Sequence, residues 1–408
     1  MEWVSCAAGK NTINSPQGNT KIPKPPQPAE RTYYLDNLKS ALTALVIYHH
    51  TAIPYGGDGA SVYQSSFHRP ASSPTLIGFN AINQSFFMGT FFFISGYFTK
   101  KTLQRKTPDE LVRARLYRLG LPAVIYTIIG PPVCSMIVGL SQGQQPSLDS
   151  VGQYWQGVKG IRGPVWYIAI LLLFDTVYAE ASRVQKTGDA QTRVPCPLGS
   201  QEPQTMTLIF SLSLCAGASF ISRLFFPVDQ VFVPLNIRLG YLPQYVGAYY
   251  LGTQVDSPAS AIPTMRQKIL LGAVSAVSGA AVIRYLAAGD GGLQQLKGGL
   301  NAAALGYAIR NDFTGYLLAG LLLATFRQFA SCPLTKYISG NAYGAFLLHI
   351  PVSTLIEVCT DRWEASGVTK TIVIGTVNVL LSWSLSYCCG LLQTLELAIW
   401  KLVDLGHK

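Results

Sequence analysis

Charge is scarce in this chain. Asp, Glu, Lys and Arg make up 12% of its 408 residues and hydrophobic residues 49%, whereas soluble domains are about a quarter charged. So little charge argues against a water-soluble enzyme and for a polytopic membrane protein, whose apolar runs are spans. Basic residues outnumber acidic ones, 31 to 20, but they form no basic domain with a recognition motif, so no nucleic-acid partner is expected. The eight cysteines include no Cys-x-x-Cys pair followed by a second pair or by histidines, so no metal or bound cofactor is expected. Ser95 does not sit in a Gly-x-Ser-x-Gly elbow, which argues against it as a serine nucleophile. Residues 1–30 lack the apolar core of a cleavable signal peptide and read as a disordered cytosolic tail.

What is present is a succession of apolar runs, near residues 34–50, 78–98, 119–140, 164–180, 205–224, 240–256, 268–288, 313–330, 341–358 and 371–400. They predict an all-α polytopic membrane protein with about ten transmembrane helices around an intramembrane cavity. Residues 31–400 form one membrane domain in this reading, and 401–408 a cytosolic C-terminal tail. Most Lys and Arg fall on one side of the resulting alternation, which puts both termini in the cytosol. An endomembrane such as the ER is the expected location. The run at 119–140 contains Pro122, Pro131 and Pro132. Such prolines are tolerated in a span only where neighbours satisfy the carbonyls they free, so this helix is expected to be kinked and packed within protein.

The first run is unusual because it holds Asp36, Lys39, His49 and His50. Ten residues separate Lys39 from His50, which on a helix leaves them about 20° apart around the axis and about 16 Å apart along it. With Lys39 at a membrane surface, His50 lies near mid-bilayer on the same face. Ionisable groups at that depth line a cavity or pathway, unless they serve only as hydrogen-bonded ties between helices. Asp36 and Lys39, three positions apart, form either an anchoring ion pair or part of a site.

Five segments then share an order with a known family. Leu35-Asp36-Asn37-Leu38-Lys39 with ten residues before His50 resembles the Arg/Lys-x10-His signature of the acyltransferase-3 family of multi-pass membrane acyltransferases. Phe93-Ile94-Ser95-Gly96-Tyr97, Arg115-Leu116-Tyr117-Arg118, Gly163-Pro164-Val165-Trp166-Tyr167 and Ala342-Tyr343 through His349 resemble its later motifs. The departures are Lys39, where Arg is commonest, and Phe346, where Tyr is usual. Lys keeps the charge but not the planar two-pronged fork. The resemblance implies acyl transfer from a cytosolic acyl-CoA to a hydroxyl of a small lipophilic metabolite or a sugar, with acyl-CoA as co-substrate.

On that reading His50 is the general base, since an alcohol needs a base to become a good nucleophile. Lys39 and Asp36 serve at the donor, and Arg115 and Arg118 hold CoA phosphates, while Trp166, Ser95 and Tyr97 line the acyl-CoA path. His49 and His349 support His50. Each assignment has a plain structural counterpart. Basic residues at 100–118 follow from positive-inside topology, Trp166 and Tyr167 from an aromatic belt, and Ser95-Gly96 from close helix packing. His349 could instead bond a backbone carbonyl freed by Pro351. Asp175 and Glu357 read as ion-pair partners for arginines. Two other functions compete: a proton-coupled small-molecule transporter, and a non-acylating cyclase or isomerase on the same scaffold.

Overall fold

The computed structural model describes residues 32–65, 73–145, 147–158, 160–187, 205–287, 292–332 and 336–406. The tail at 1–30 lies outside them. Every regular element among the described residues is helical. In chain order the helices are α1 Tyr33–Ala52, α2 Pro74–Leu103, α3 Pro108–Arg115, α4 Leu121–Ser141, α5 Leu148–Gly157, α6 Trp166–Thr187 and α7 Thr205–Phe225. There follow α8 Leu242–Gln254, α9 Met265–Ala287, α10 Gly292–Lys297, α11 Ala302–Phe329, α12 Lys336–Cys359 and α13 Gly367–Gly406.

Each of the ten apolar runs coincides with one of these helices, but among the described residues six segments are both long and apolar enough to cross a membrane. They are Pro108–Ser141, Gly163–Val184, Thr205–Phe225, Met265–Tyr285, Tyr337–Cys359 and Gly367–Gly390. Helices α1, α2, α8 and α11 fall short of that description. Helix α8 has 13 residues, about 20 Å of rise against a hydrocarbon layer of about 30 Å. The other three carry polar side chains inward: Asn37, Ser40 and Thr43 on α1, Asn80 and Asn83 on α2, and Asn311 and Asp312 on α11 are all buried. A helix enclosed by protein can be polar where one facing lipid cannot.

The outer helices show the complement. Met206, Phe210, Leu214, Ile221 and Phe225 of α7 are exposed at spacings that place them on one stripe. Helix α4 exposes Val124, Ile125, Ile128 and Ile129. Apolar surface of this extent suits acyl chains rather than water.

Inside, Leu35, Leu38, Leu42 and Val46 of α1 share a cluster with Phe92, Phe93 and Ile94 of α2, Ile168 and Leu171 of α6 and Tyr245 and Tyr249 of α8. Helices α2 and α8 approach backbone to backbone. A Cβ on Gly96 would stand 2.2 Å from the Tyr249 carbonyl oxygen, and one on Gly252 would stand 2.1 Å from that of Phe93. Only glycine permits that contact.

Helix α3 runs into α4 through a π turn at Leu116–Gly120. Beyond it, Pro131 and Pro132 remove the N–H groups that would bond the carbonyls of Thr127 and Ile128. The Tyr154 hydroxyl donates to Thr127 O at 2.8 Å and Trp155 Nε1 to Ile128 O at 3.1 Å. Short helix α5 thus repairs both losses from outside α4.

Candidate active site

The C-terminal half of α1 leads into a cavity of about 270 Å³. Its walls are Val46, His49 and His50 of α1, Gln84, Phe87 and Met88 of α2, and Phe346, Ile350, Ser353, Thr354 and Glu357 of α12. On α12 these recur every three or four residues, so one helical face supplies them. Trp166 comes from the start of α6, Arg238, Tyr241 and Tyr245 from the segment entering α8, and Asp58 to Val62 from the loop after α1.

His50 is half-buried, its ring 5.2 Å from that of His349 and 5.6 Å from that of His49. His49 lies against Phe87 at 5.0 Å, and its Nδ1 has no hydrogen-bond partner among the described residues. Trp166 stacks on Tyr245, centroids 5.7 Å apart at 29°, and Tyr245 OH accepts from Gln84 Nε2 at 2.9 Å. Gly163, which opens the turn into α6, has φ +68°, and a Cβ there would meet the Tyr126 ring at 2.9 Å; glycine adopts that conformation freely.

The loop is tied down over the cavity. Asn80 Nδ2 donates to Asp58 O at 3.1 Å, and the hydroxyls of Tyr63 and Ser65 both donate to Asp361 Oδ1 at the end of α12. Burial pushes the Tyr63 hydroxyl well above its ordinary pKa, so it stays a donor at physiological pH.

His49, His50, His349 and Trp166 therefore meet around one chamber, three of them on its wall and His349 just behind His50. The other residues singled out from the sequence lie elsewhere. Asp36 and Lys39 pair at 2.9 Å near the opposite end of α1, with Lys39 Nζ 4.8 Å above the Phe98 ring. Beside them Asn37 donates to the carbonyls of Ala330 and Cys332, closing the end of α11. Tyr97 packs on Phe98 at 5.4 Å, and Ser95 Oγ bonds Tyr167 OH at 2.9 Å.

Arg115 is drawn into a buried cluster. Its Nε stands 3.1 Å from Asp175 Oδ2, a close ion pair although the N–H is not aligned with that oxygen. Asp175 Oδ1 accepts from Thr99 at 2.6 Å and Tyr249 at 2.7 Å. Arg118 is exposed in the π turn. Glu357, the other in-span carboxylate, accepts from Ser353 at 2.6 Å and faces the chamber instead of an arginine.

Arg238, Gln84, Tyr245 and Asp58 were not legible as site residues. They come from three separate segments, and only the packing of α2, α8 and the loop after α1 assembles them. The Arg238 side chain makes no hydrogen bond or ion pair among the described residues, while its charge is within Coulomb reach of both His49 and His50.

Comparison with known proteins gives the arrangement its context. Residues 32–387 match the sequence profile of an acyltransferase domain, the acyltransferase-3 type. Glucans biosynthesis protein C from Salmonella paratyphi B and from Salmonella heidelberg are each 26% identical over 155 residues, 37% of this chain and 38% of theirs. The similarity thus spans well under half the length of these relatives. No solved structure matches. With the profile covering nearly the whole described chain, the polar chamber inside the apolar bundle is that of a multi-pass membrane protein, and the chain belongs to the acyltransferase-3 family.

Proposed function

We propose that this protein is a membrane-bound O-acyltransferase that moves an acyl group from acyl-CoA to a hydroxyl of a small lipophilic metabolite or a sugar, with His50 as general base. The observation that carries this reading is the half-buried His50 imidazole on the wall of a chamber enclosed by α1, α2, α12 and the approach to α8. The mixed lining suits an acceptor with both apolar and hydroxylated parts. Phe87, Met88, Ile350 and Trp166 offer apolar surface, and Gln84, Arg238, Asp58 and Glu357 offer hydrogen bonds.

In the reaction, His50 removes the hydroxyl proton as the oxygen attacks the thioester carbonyl. The new C–O bond forms, the C–S bond breaks, and the proton passes to the CoA sulfur. Lys39 and Arg118 supply cationic charge for the phosphates on the side where the pantetheine arm would have to start. Arg115 would serve there only with the capacity left over from Asp175. In this reading ten helices cross or pack within an endomembrane, with both termini cytosolic.

The test is direct. Membranes containing the protein are incubated with labelled acetyl-CoA and longer acyl-CoAs and a panel of alcohols and sugars. Labelled ester should form with the wild type and fall to background with His50→Gln. Uptake of solute without any thioester consumed would instead support a transporter.

A further inference from the structure

His349 stands one helix away from the proposed base, on α12, and is fully buried. Its Nδ1 lies 2.6 Å from the carbonyl oxygen of Phe346 on the preceding turn. A carbonyl only accepts, so the proton is on Nδ1 and Nε2 carries the lone pair. That nitrogen has no partner among the described residues, and a buried acceptor without a donor is costly. The turn bearing it is braced: Asn378 of α13 donates to His349 O at 3.3 Å, and Ser382 donates to Asn378 Oδ1 at 2.9 Å. The neighbouring ring that could supply a donor is His50, with centroids 5.2 Å apart and planes at 44°. Two imidazoles joined by one N–H···N bond have centroids about 5 Å apart, from an N···N distance of about 2.9 Å plus the two ring radii. A modest rotation of the half-buried His50 ring would align them.

The geometry points to His349 as a positioning residue that accepts the N–H of His50 and fixes which nitrogen of the base faces the chamber. His50 is thereby held in the tautomer whose second nitrogen has its lone pair free for the acceptor hydroxyl. When that nitrogen takes the proton, the ring becomes an imidazolium and the bond to His349 becomes charge-assisted. It therefore strengthens along the reaction, as a contact that accelerates chemistry must. The inference rests on the reading of His50 as base. The other titratable groups lining the chamber with His50 are His49 on its own helix, Glu357 on α12, Asp58 from the loop, and Arg238, Tyr241 and Tyr245 from the segment entering α8.

The experiment uses the full-length protein in nanodiscs with radiolabelled acetyl-CoA and either glucose or octan-1-ol as acceptor. His349→Phe should lower kcat by about 100-fold or more, leave KM for acetyl-CoA unchanged and displace the acidic limb of the pH–rate profile. His349→Gln, whose amide oxygen can accept the same N–H, should recover part of the loss. A His349→Phe protein with wild-type kcat and an unmoved profile overturns the inference. Activity surviving in His50→Gln would instead remove the underlying reading of His50. Nitrogen-15 spectra of histidine-labelled wild type supply a check that needs no variant to fold. One fixed His50 tautomer supports the lock, and two exchanging tautomers refute it.

Discussion

Arg115 has two candidate roles, phosphate ligand by family resemblance and partner of a buried carboxylate by structure. Replacing it separates the two. Asp175 is 1% exposed and its Oδ2 has Arg115 Nε at 3.1 Å as its close cation. Stranding one member of a buried pair costs about 3–5 kcal/mol. Oδ1 keeps its donors from Thr99 and Tyr249, and the arginine is itself 23% exposed. Both facts put the expected loss for Arg115→Met at the lower end, about 3 kcal/mol. Removing the carboxylate's charge as well, in the Arg115→Met/Asp175→Asn double variant, should bring stability back to within about 1 kcal/mol of wild type, because no unpaired charge stays buried. Thermal unfolding in detergent measures this, and KM for acetyl-CoA measured on the same proteins reports the donor site. A phosphate role raises KM in both variants. A purely structural role leaves KM normal once stability is restored. If the double variant is as unstable as Arg115→Met, the ion-pair account of this cluster is wrong.

Other perturbations follow from particular contacts. Tyr154→Phe and Trp155→Phe should each lower stability by about 1–3 kcal/mol by orphaning the Thr127 or Ile128 carbonyl. The loss should vanish in Pro131→Ala or Pro132→Ala backgrounds, where the backbone N–H returns; unfolding curves lacking this rescue would refute the repair. Gly96→Ala, with a backbone oxygen 2.2 Å from the new carbon, should force α2 from α8 at a cost of about 1–3 kcal/mol. A thermal midpoint equal to wild type would contradict that packing. Asp361→Asn should weaken the tie from Tyr63 and Ser65 and speed proteolysis of the loop after α1, seen as faster appearance of a nicked fragment. Unchanged cleavage would mean that Asn80 holds the loop without Asp361.

The position of the helices was largely written in the chain. Long apolar runs form helices in a bilayer, because a helix satisfies its own backbone groups without water. Each predicted run is helical, and Pro131 and Pro132 announced that neighbours would have to supply donors. The number of spans was less legible. Hydropathy scores a helix by its own composition, whereas α1, α2 and α11 are buried among other helices and tolerate polar residues on that account. Which residue does the repairing, Tyr154 or another, has no signal in the sequence either.

Within the site, the sequence by itself determined that His50 lies one stretch of helix away from Lys39 on a common face, since helical periodicity is a local property. It also marked Gly96 as a position of close approach. Only the tertiary structure decided that Arg115 turns towards Asp175, that His349 stands beside His50, and that Arg238, Gln84, Tyr245 and Asp58 complete the chamber. Those contacts join residues that are tens to hundreds of positions apart. Their geometry is set by how rigid helices pack, which no local pattern encodes.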